Sequence, residues 1–315
     1  MKKILSIDGG GIKGVFPASF LSYIEDKIDG RFSEYFDLIV GTSTGGIIAL
    51  GLGLGFSAKD ILKFYKRYGP SIFGGNRLFK RLRNLFYAKY DHRSLHSALK
   101  VIFGDRKLGE SLTRIVVPSF DLDTGKVYIH KTAHHERFST DYKRAVVDVA
   151  ISTSAAPTYF PAHLLPSGSP LVDGGIWANN PVGFAVVEAI GVLKWPASDI
   201  RVLSIGCTNE PIGTGGTIRP SLGLSYWGFK AIDLFMHAQD SASFGIATIL
   251  TSHDQIKRIS PVVSPRKYRL DSYETIPSLE GLGENYARYE FSHIRDFFSE
   301  KVEPFVPNYL LTNEK

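Results

Sequence analysis

The chain has 315 residues, with 37 Lys and Arg against 31 Asp and Glu and a formal charge of +6. Its 43% hydrophobic and 22% charged residues exclude a disordered, collagen-like or coiled-coil architecture, and the length suffices to bury a sizeable core. The single cysteine, Cys207, excludes an intrachain disulfide and a Cys-based metal cluster and points to a reducing, cytosolic compartment. Asp8 interrupts the first apolar stretch too soon for a secretory leader. The longest apolar run, Ile47 to Phe56, is about half a membrane span.

In chain order, Lys3 to Ile7 reads as a strand that stops at the glycine turn Asp8-Gly9-Gly10-Gly11. Val15 to Ile28 follows with helical spacing of Phe16, Phe20, Ile24 and Ile28. Phe36 to Val40 is a second buried strand, followed by Gly41 to Gly46 and an apolar stretch to Leu54. Ser57 to Asp60 has the form of a helix cap, and Gly69-Pro70 marks the end of that helix. Asn76 to Arg93 can be drawn as an amphipathic helix with Leu78, Leu82, Leu85 and Phe86 on one face. Arg114 to Phe120 and Lys126 to Lys131 are strands around Asp123-Thr124-Gly125, and Asp141 to Ser152 is helical. Arg201 to Ile205 is a further strand, Thr208 to Pro220 a Gly-rich loop, and the remainder reads as mainly helical, most clearly over Glu284 to Val302.

Strands alternating with helices predict an α/β fold in three layers around a mostly parallel sheet. The chain reads as a single domain, 1–315, with a core over about 4–206 and a helical C-terminal layer over about 221–315. Charge is concentrated: Ser57 to Arg93 holds ten basic residues against Asp60 and Asp91, a net +8 that leaves −2 for the rest. A protein that binds nucleic-acid polymers spreads its basic character more widely. An anionic membrane surface, met by Arg77, Lys80, Arg81 and Arg83, fits better.

Gly41-Thr42-Ser43-Thr44-Gly45 has the G-x-S-x-G pattern of a nucleophile elbow. A serine on a tight strand-to-helix turn needs small residues two before and two after it. Its hydroxyl then stands at a helix N-terminus, where N–H groups stabilise negative charge. The other glycine cluster, Gly9, Gly11 and Gly14, satisfies G-x-G-x-x-G after a strand, so a dinucleotide-binding turn competes with an oxyanion hole. The acidic residues about twenty positions on, Asp29 and Glu34, do not close a strand, which favours the oxyanion hole. A phosphate-binding loop fails because Val15 stands where Lys is required. Asp173-Gly174-Gly175 offers a base for Ser43, although such a tripeptide is most often a plain turn. Among nine histidines, His237, His253 and His293 follow Asp173 in triad order, while His92 with His96 and His134-His135-Glu136 lack a metal-ligand pattern.

Together these blocks resemble the patatin-like phospholipase family. The match runs through Ile4 to Gly14, Phe36 to Gly46, Ser152 to Pro161, Asp173 to Gly175 with Asn179-Asn180-Pro181, and Leu203 to Gly206. The resemblance implies a Ser–Asp dyad without a catalytic histidine, with Ser43 as nucleophile and Asp173 as base. It implies an oxyanion hole from Gly9, Gly10 and Gly11 with Thr44 N–H, supported by Gly14, Gly41, Gly45, Gly174 and Gly175. It implies hydrolysis of fatty-acyl esters of membrane phospholipids, with no metal or other cofactor required. Similar bacterial family members act in anti-phage defence and are switched on by cyclic dinucleotides, so such an activator is expected here, acting on a cytoplasmic protein peripheral to the inner membrane face. The alternatives are an ungated lipid esterase, a silent binding protein and a dinucleotide-dependent oxidoreductase. Two positions depart from the family: Lys13, where Arg is more frequent, and Cys207, where a small residue is usual.

Overall fold

The computed structural model describes residues 1–75, 87–211 and 224–311, with side chains in the last segment described from 234. The first apolar run forms β1 (Lys2–Ile7), which lies between the parallel strands β2 (Leu38–Gly41) and, later in the chain, β7 (Ile200–Ile205). Between β1 and β2 runs α1 (Val15–Glu25). Next come α2 (Thr44–Gly53), α3 (Ala58–Phe73), α4 (His92–Phe103) and the hairpin β3 (Arg114–Asp121) and β4 (Lys126–Lys131). Then follow α5 (Val146–Ser154), β5 (His163–Leu164), β6 (Pro170–Asp173), α6 (Gly175–Ala178) and α7 (Val182–Gly191). After β7 come α8 (Leu224–Leu250), β8 (Ile256–Ile259) and α9 (Ile276–Ile294).

The sheet order is β5-β6-β3-β2-β1-β7-β8, with β4 paired to β3. Strands β3, β2, β1, β7 and β8 are parallel, which carries the mostly parallel expectation. One apolar cluster packs α1, α2, α3, α4, α5 and α9 on one face of the sheet, and a second packs α7 on the other. Helices therefore cover both faces, the arrangement parallel strands require.

Strand β3 explains how the site assembles. Strand β4 takes one edge of β3 along Val116 to Asp121. The opposite edge is shared: β2 pairs with Arg114 to Val116 and β6, running the other way, with Ser119 to Asp121. The C-terminal ends of β2 and β6 thus meet head to head, bringing the residue after Thr42 up to Asp173.

Several boundaries differ from the sequence expectation. Helix α3 runs past Pro70 to Phe73, because Ile72 is buried and Phe73 packs edge-on against Tyr90 and Phe160. Gly69 serves packing: a Cβ there would lie 2.9 Å from Ile12 and 3.0 Å from Ile276 side chains. The segment from Asp141 breaks at Arg144 and Ala145, and α5 starts only at Val146, because Asp141 turns aside to accept from Tyr128 and Arg144. Residues 76–86 lie outside the described residues, and 87–91 are not helical, since Lys89 and Tyr90 give their N–H groups to Thr158 and Tyr159. The C-terminal layer is not all helix: β8 extends the sheet beside β7. Helix α9 starts at Ile276 and ends at Ile294, because Phe297 and Phe298 leave it to pack on Phe32, Tyr35 and Phe36.

Candidate active site

Ser43 follows β2 and caps α2 with φ 54° and ψ −122°, a conformation that L side chains rarely adopt. The strain is tolerated because its neighbours leave no alternative. A Cβ on Gly41 would lie 2.1 Å from the Gly45 carbonyl oxygen, and one on Gly45 would lie 2.3 Å from that of Ile7. The Ser43 N–H donates to Thr153 Oγ1 at 2.9 Å, and Thr153 Oγ1 donates to the Pro118 carbonyl at 2.6 Å. These bonds tie the elbow to α5 and β3. Thr42 is fixed as well, its Oγ1 donating to Ala178 O at 2.6 Å.

At the end of β6, Asp173 meets the elbow. Ser43 Oγ donates to Asp173 Oδ2 at 2.6 Å, and the Gly175 N–H donates to Oδ1 at 2.7 Å. Ser43 is 9% and Asp173 4% exposed. Burial pushes the Asp173 carboxyl up to about 7, against the opposing pull of the Ser43 and Gly175 hydrogen bonds. Gly174 is obligatory, since a Cβ there would lie 2.3 Å from Pro118 O. No imidazole shares a hydrogen bond with Asp173 among the described residues: His253 packs on Phe244, and His293 pairs with Glu290.

The glycine turn after β1 lies against the elbow, because β1 and β2 are adjacent and in register from Ile4 with Leu38 to Ile7 with Gly41. A Cβ on Gly9 would lie 3.2 Å from Ser43 Cβ. The Gly9 N–H, however, donates to Asn179 O at 2.9 Å. That commitment removes it from the expected oxyanion donors, and Gly9 contributes close approach instead. Gly10 and Gly11 donate their N–H groups to no acceptor among the described residues. Thr44, as the first residue of α2, has an N–H without an intrahelical acceptor. Its hydroxyl bonds Tyr65 at 2.5 Å, in space that a side chain on Gly14 would fill.

Sequence reasoning missed the supports of this turn. Asp8, just before the glycines, is held by the two terminal nitrogens of Arg258 from β8, at 2.9 and 2.5 Å. Arg258 also bonds Ser204 at 2.8 Å and Asp240 of α8 at 2.9 Å, and Asp240 accepts from Asn180 at 2.7 Å. Burial pushes Asp8 up to about 6 in spite of Arg258. Cys207 fills the space over Gly10, where a Cβ would lie 2.5 Å from its sulfur, and burial pushes its thiol up to about 12. It is a packing residue. Lys13 Nζ donates to Thr208 O at 3.3 Å. Arg77, Lys80, Arg81 and Arg83 lie outside the described residues.

The fold and this elbow meet in one family. The chain belongs to the patatin-like phospholipases, hydrolases of lipid esters, whose family model matches residues 5–186. A cGAMP-activated phospholipase of Pseudomonas aeruginosa is 34% identical over 242 residues, covering 76% of this chain and 72% of that one. Patatin-like protein 2 of Oryza sativa subsp. indica is 38% identical over 211 residues, covering 58% of this chain and 51% of its own. The chain thus spans about half the length of the rice relative. Among solved structures, VipD from Legionella pneumophila is similar over 89% of this chain and 66% of its own, at 12% identity and a TM-score of 0.41.

Proposed function

We propose that the chain hydrolyses fatty-acyl esters of membrane phospholipids through a Ser43–Asp173 dyad and an acyl-enzyme. The observation that carries this reading is the 2.6 Å hydrogen bond from Ser43 Oγ to a buried carboxylate. A lone carboxylate is ordinarily a weak base for an alcohol. With its pKa raised to about 7, Asp173 is matched to proton transfer near neutral pH.

In the first step Ser43 Oγ bonds to the ester carbonyl carbon while its proton passes to Asp173. The carbonyl oxygen becomes an oxyanion, with the Thr44, Gly10 and Gly11 N–H groups as its donors. One such donor is typically worth ~3 kcal/mol. Collapse breaks the bond to the alcohol, which leaves with the proton from Asp173. Water then attacks the acyl-enzyme, gives its proton to Asp173, and releases the fatty acid as the proton returns to Ser43. The dinucleotide-dependent oxidoreductase finds less support, because Asp29 lies in a bend and Glu34 in a 3-10 turn, and neither closes a strand where a ribose-binding carboxylate would stand.

The same reading includes control by a cyclic dinucleotide, supported by the name of the Pseudomonas relative. An activator of this kind must bind the active state more tightly than the resting one, because equal affinity shifts nothing. Fatty-acid release from mixed phospholipid vesicles, with and without cyclic dinucleotides, tests both parts. The expected result is low basal release, raised by one cyclic dinucleotide and absent in Ser43→Ala. Full basal release with no calorimetric binding of any cyclic dinucleotide would leave an ungated lipid esterase. Release that persists in Ser43→Ala would remove the dyad.

A further inference from the structure

A second contact bears on the glycine turn, from the loop that precedes α9. The Leu270 carbonyl accepts the Ile12 N–H at 2.8 Å. It also lies 2.3 Å from where a Cβ of Gly11 would stand, and Gly11 has a φ of +57°. Backbone therefore lies close against backbone, with no room for a side chain, at the residue that offers an oxyanion donor.

The next residue, Asp271, is held from the other side. Its carboxylate forms an ion pair with Lys89 and accepts from Tyr90 OH at 2.8 Å. Lys89 and Asp271 side chains are 19% and 7% exposed, and Lys89 Nζ lies 5.5 Å from the Tyr90 and Tyr159 ring centres. The Lys89 and Tyr90 N–H groups in turn donate to Thr158 and Tyr159 carbonyls, at 2.9 and 2.7 Å. Three segments, 87–91, 158–160 and 269–272, are thus locked at one point beside the turn. Burial alone would push Asp271 up, but its bonds to Lys89 and Tyr90 outweigh that and hold it below the usual carboxylate range. Exposed ion pairs fix little, whereas a largely desolvated pair with an added hydrogen bond fixes geometry. Donors can be only as well placed as the backbone that carries them, and a displacement of about 1 Å can cost ~10²-fold in rate.

We propose that Asp271 is a positioning residue for acyl transfer: clamped by Lys89 and Tyr90, it seats the Leu270 carbonyl against Gly11 and Ile12 and so fixes the Gly10 and Gly11 N–H groups. The proposal rests on the Ser43–Asp173 reading and adds a distant ion pair to it.

The test uses the full chain and a short-chain soluble ester, with kcat and KM measured separately. It adds the rate at which a fluorophosphonate modifies Ser43, a reaction that builds negative charge on oxygen as acylation does. Asp271→Asn should lower kcat by roughly tenfold to 10²-fold with KM within about twofold, and slow phosphonylation in parallel. Tyr90→Phe, which removes one hydrogen bond only, should act in the same direction by about threefold and remains informative if Asp271→Asn does not fold. Exchanging the charges, Asp271→Lys with Lys89→Asp, should recover part of kcat. Parental kcat in Tyr90→Phe and in folded Asp271→Asn overturns the positioning role and leaves the dyad standing. So does a loss of kcat that only tracks the loss of folded protein. A parent that neither cleaves ester nor reacts at Ser43 overturns the dyad reading and this one with it.

Discussion

Ser43 and Asp173 are nearly sealed from water, so the hydrogen bond between them is formed where charge is expensive. The folded state holds the Asp173 proton up to about pH 7, whereas the unfolded chain releases it near the ordinary carboxylate value of 3.8. Between those limits the folded protein binds more protons than the unfolded one, and stability must fall as pH rises. Asn at this position carries no such cost. Asp173→Asn should therefore melt higher than the parent at pH 8 and gain much less at pH 4, a difference worth a few kcal/mol at most. Thermal melts across that range check it, and a gain that does not change with pH would be wrong for this residue. The catalytic side follows from the same group. Ester hydrolysis should climb with pH through about 7 as Asp173 ionises, Ser43→Ala and Asp173→Asn should each abolish it, and the double variant should be no worse than either.

At the scale of elements, Arg258 joins the end of β1 to β8 and α8 through Asp8 and Asp240. Its side chain is 16% exposed, and Asp8's is 6%. Removing the cation leaves Asp8 buried without its counter-charge, a change that typically costs ~3–5 kcal/mol. Arg258→Met should lower Tm strongly. The deficit should widen from pH 5 to pH 8, because Asp8, already raised to about 6, would be raised further and its ionisation would then oppose folding. Arg258→Lys keeps the charge but not the two-pronged contact, and should fall between. Nothing local announces this network, since Asp8 and Arg258 are 250 residues apart. The elbow, by contrast, was legible because its requirement is local: small residues on either side of a strained serine. Asp173 was legible only through the order of family blocks, because an Asp-Gly-Gly by itself is a turn. The head-to-head meeting of β2 and β6 depends on both pairing with the same edge of β3, which periodicity cannot reveal. Helix ends misread for a similar reason: packing of Phe73, Phe297 and Phe298 overrode Pro70 and the helical pattern past Ile294.

At the scale of the molecule, the question is how the site meets an insoluble substrate. Among the described residues no helix is long and apolar enough to cross a membrane. The +8 of Ser57 to Arg93 exceeds the net charge of the whole chain, and that run ends at residues joined to the site's surroundings. Tyr87 is 72% exposed, and Lys89 and Tyr90 are bound to Asp271 beside the glycine turn. Basic side chains near an anionic bilayer contribute about 1 kcal/mol each, so four in contact would change binding by several hundredfold. Reversing Arg77, Lys80, Arg81 and Arg83 to Glu should weaken sedimentation with anionic vesicles and slow their hydrolysis, with less effect as salt rises. Turnover of a short-chain soluble ester should stay near the parental value, because Ser43, Asp173 and the Lys89–Asp271 pair are untouched. Equal loss on both substrates would assign the four residues to folding instead. Unchanged vesicle binding at low salt would move the docking surface to another part of the chain.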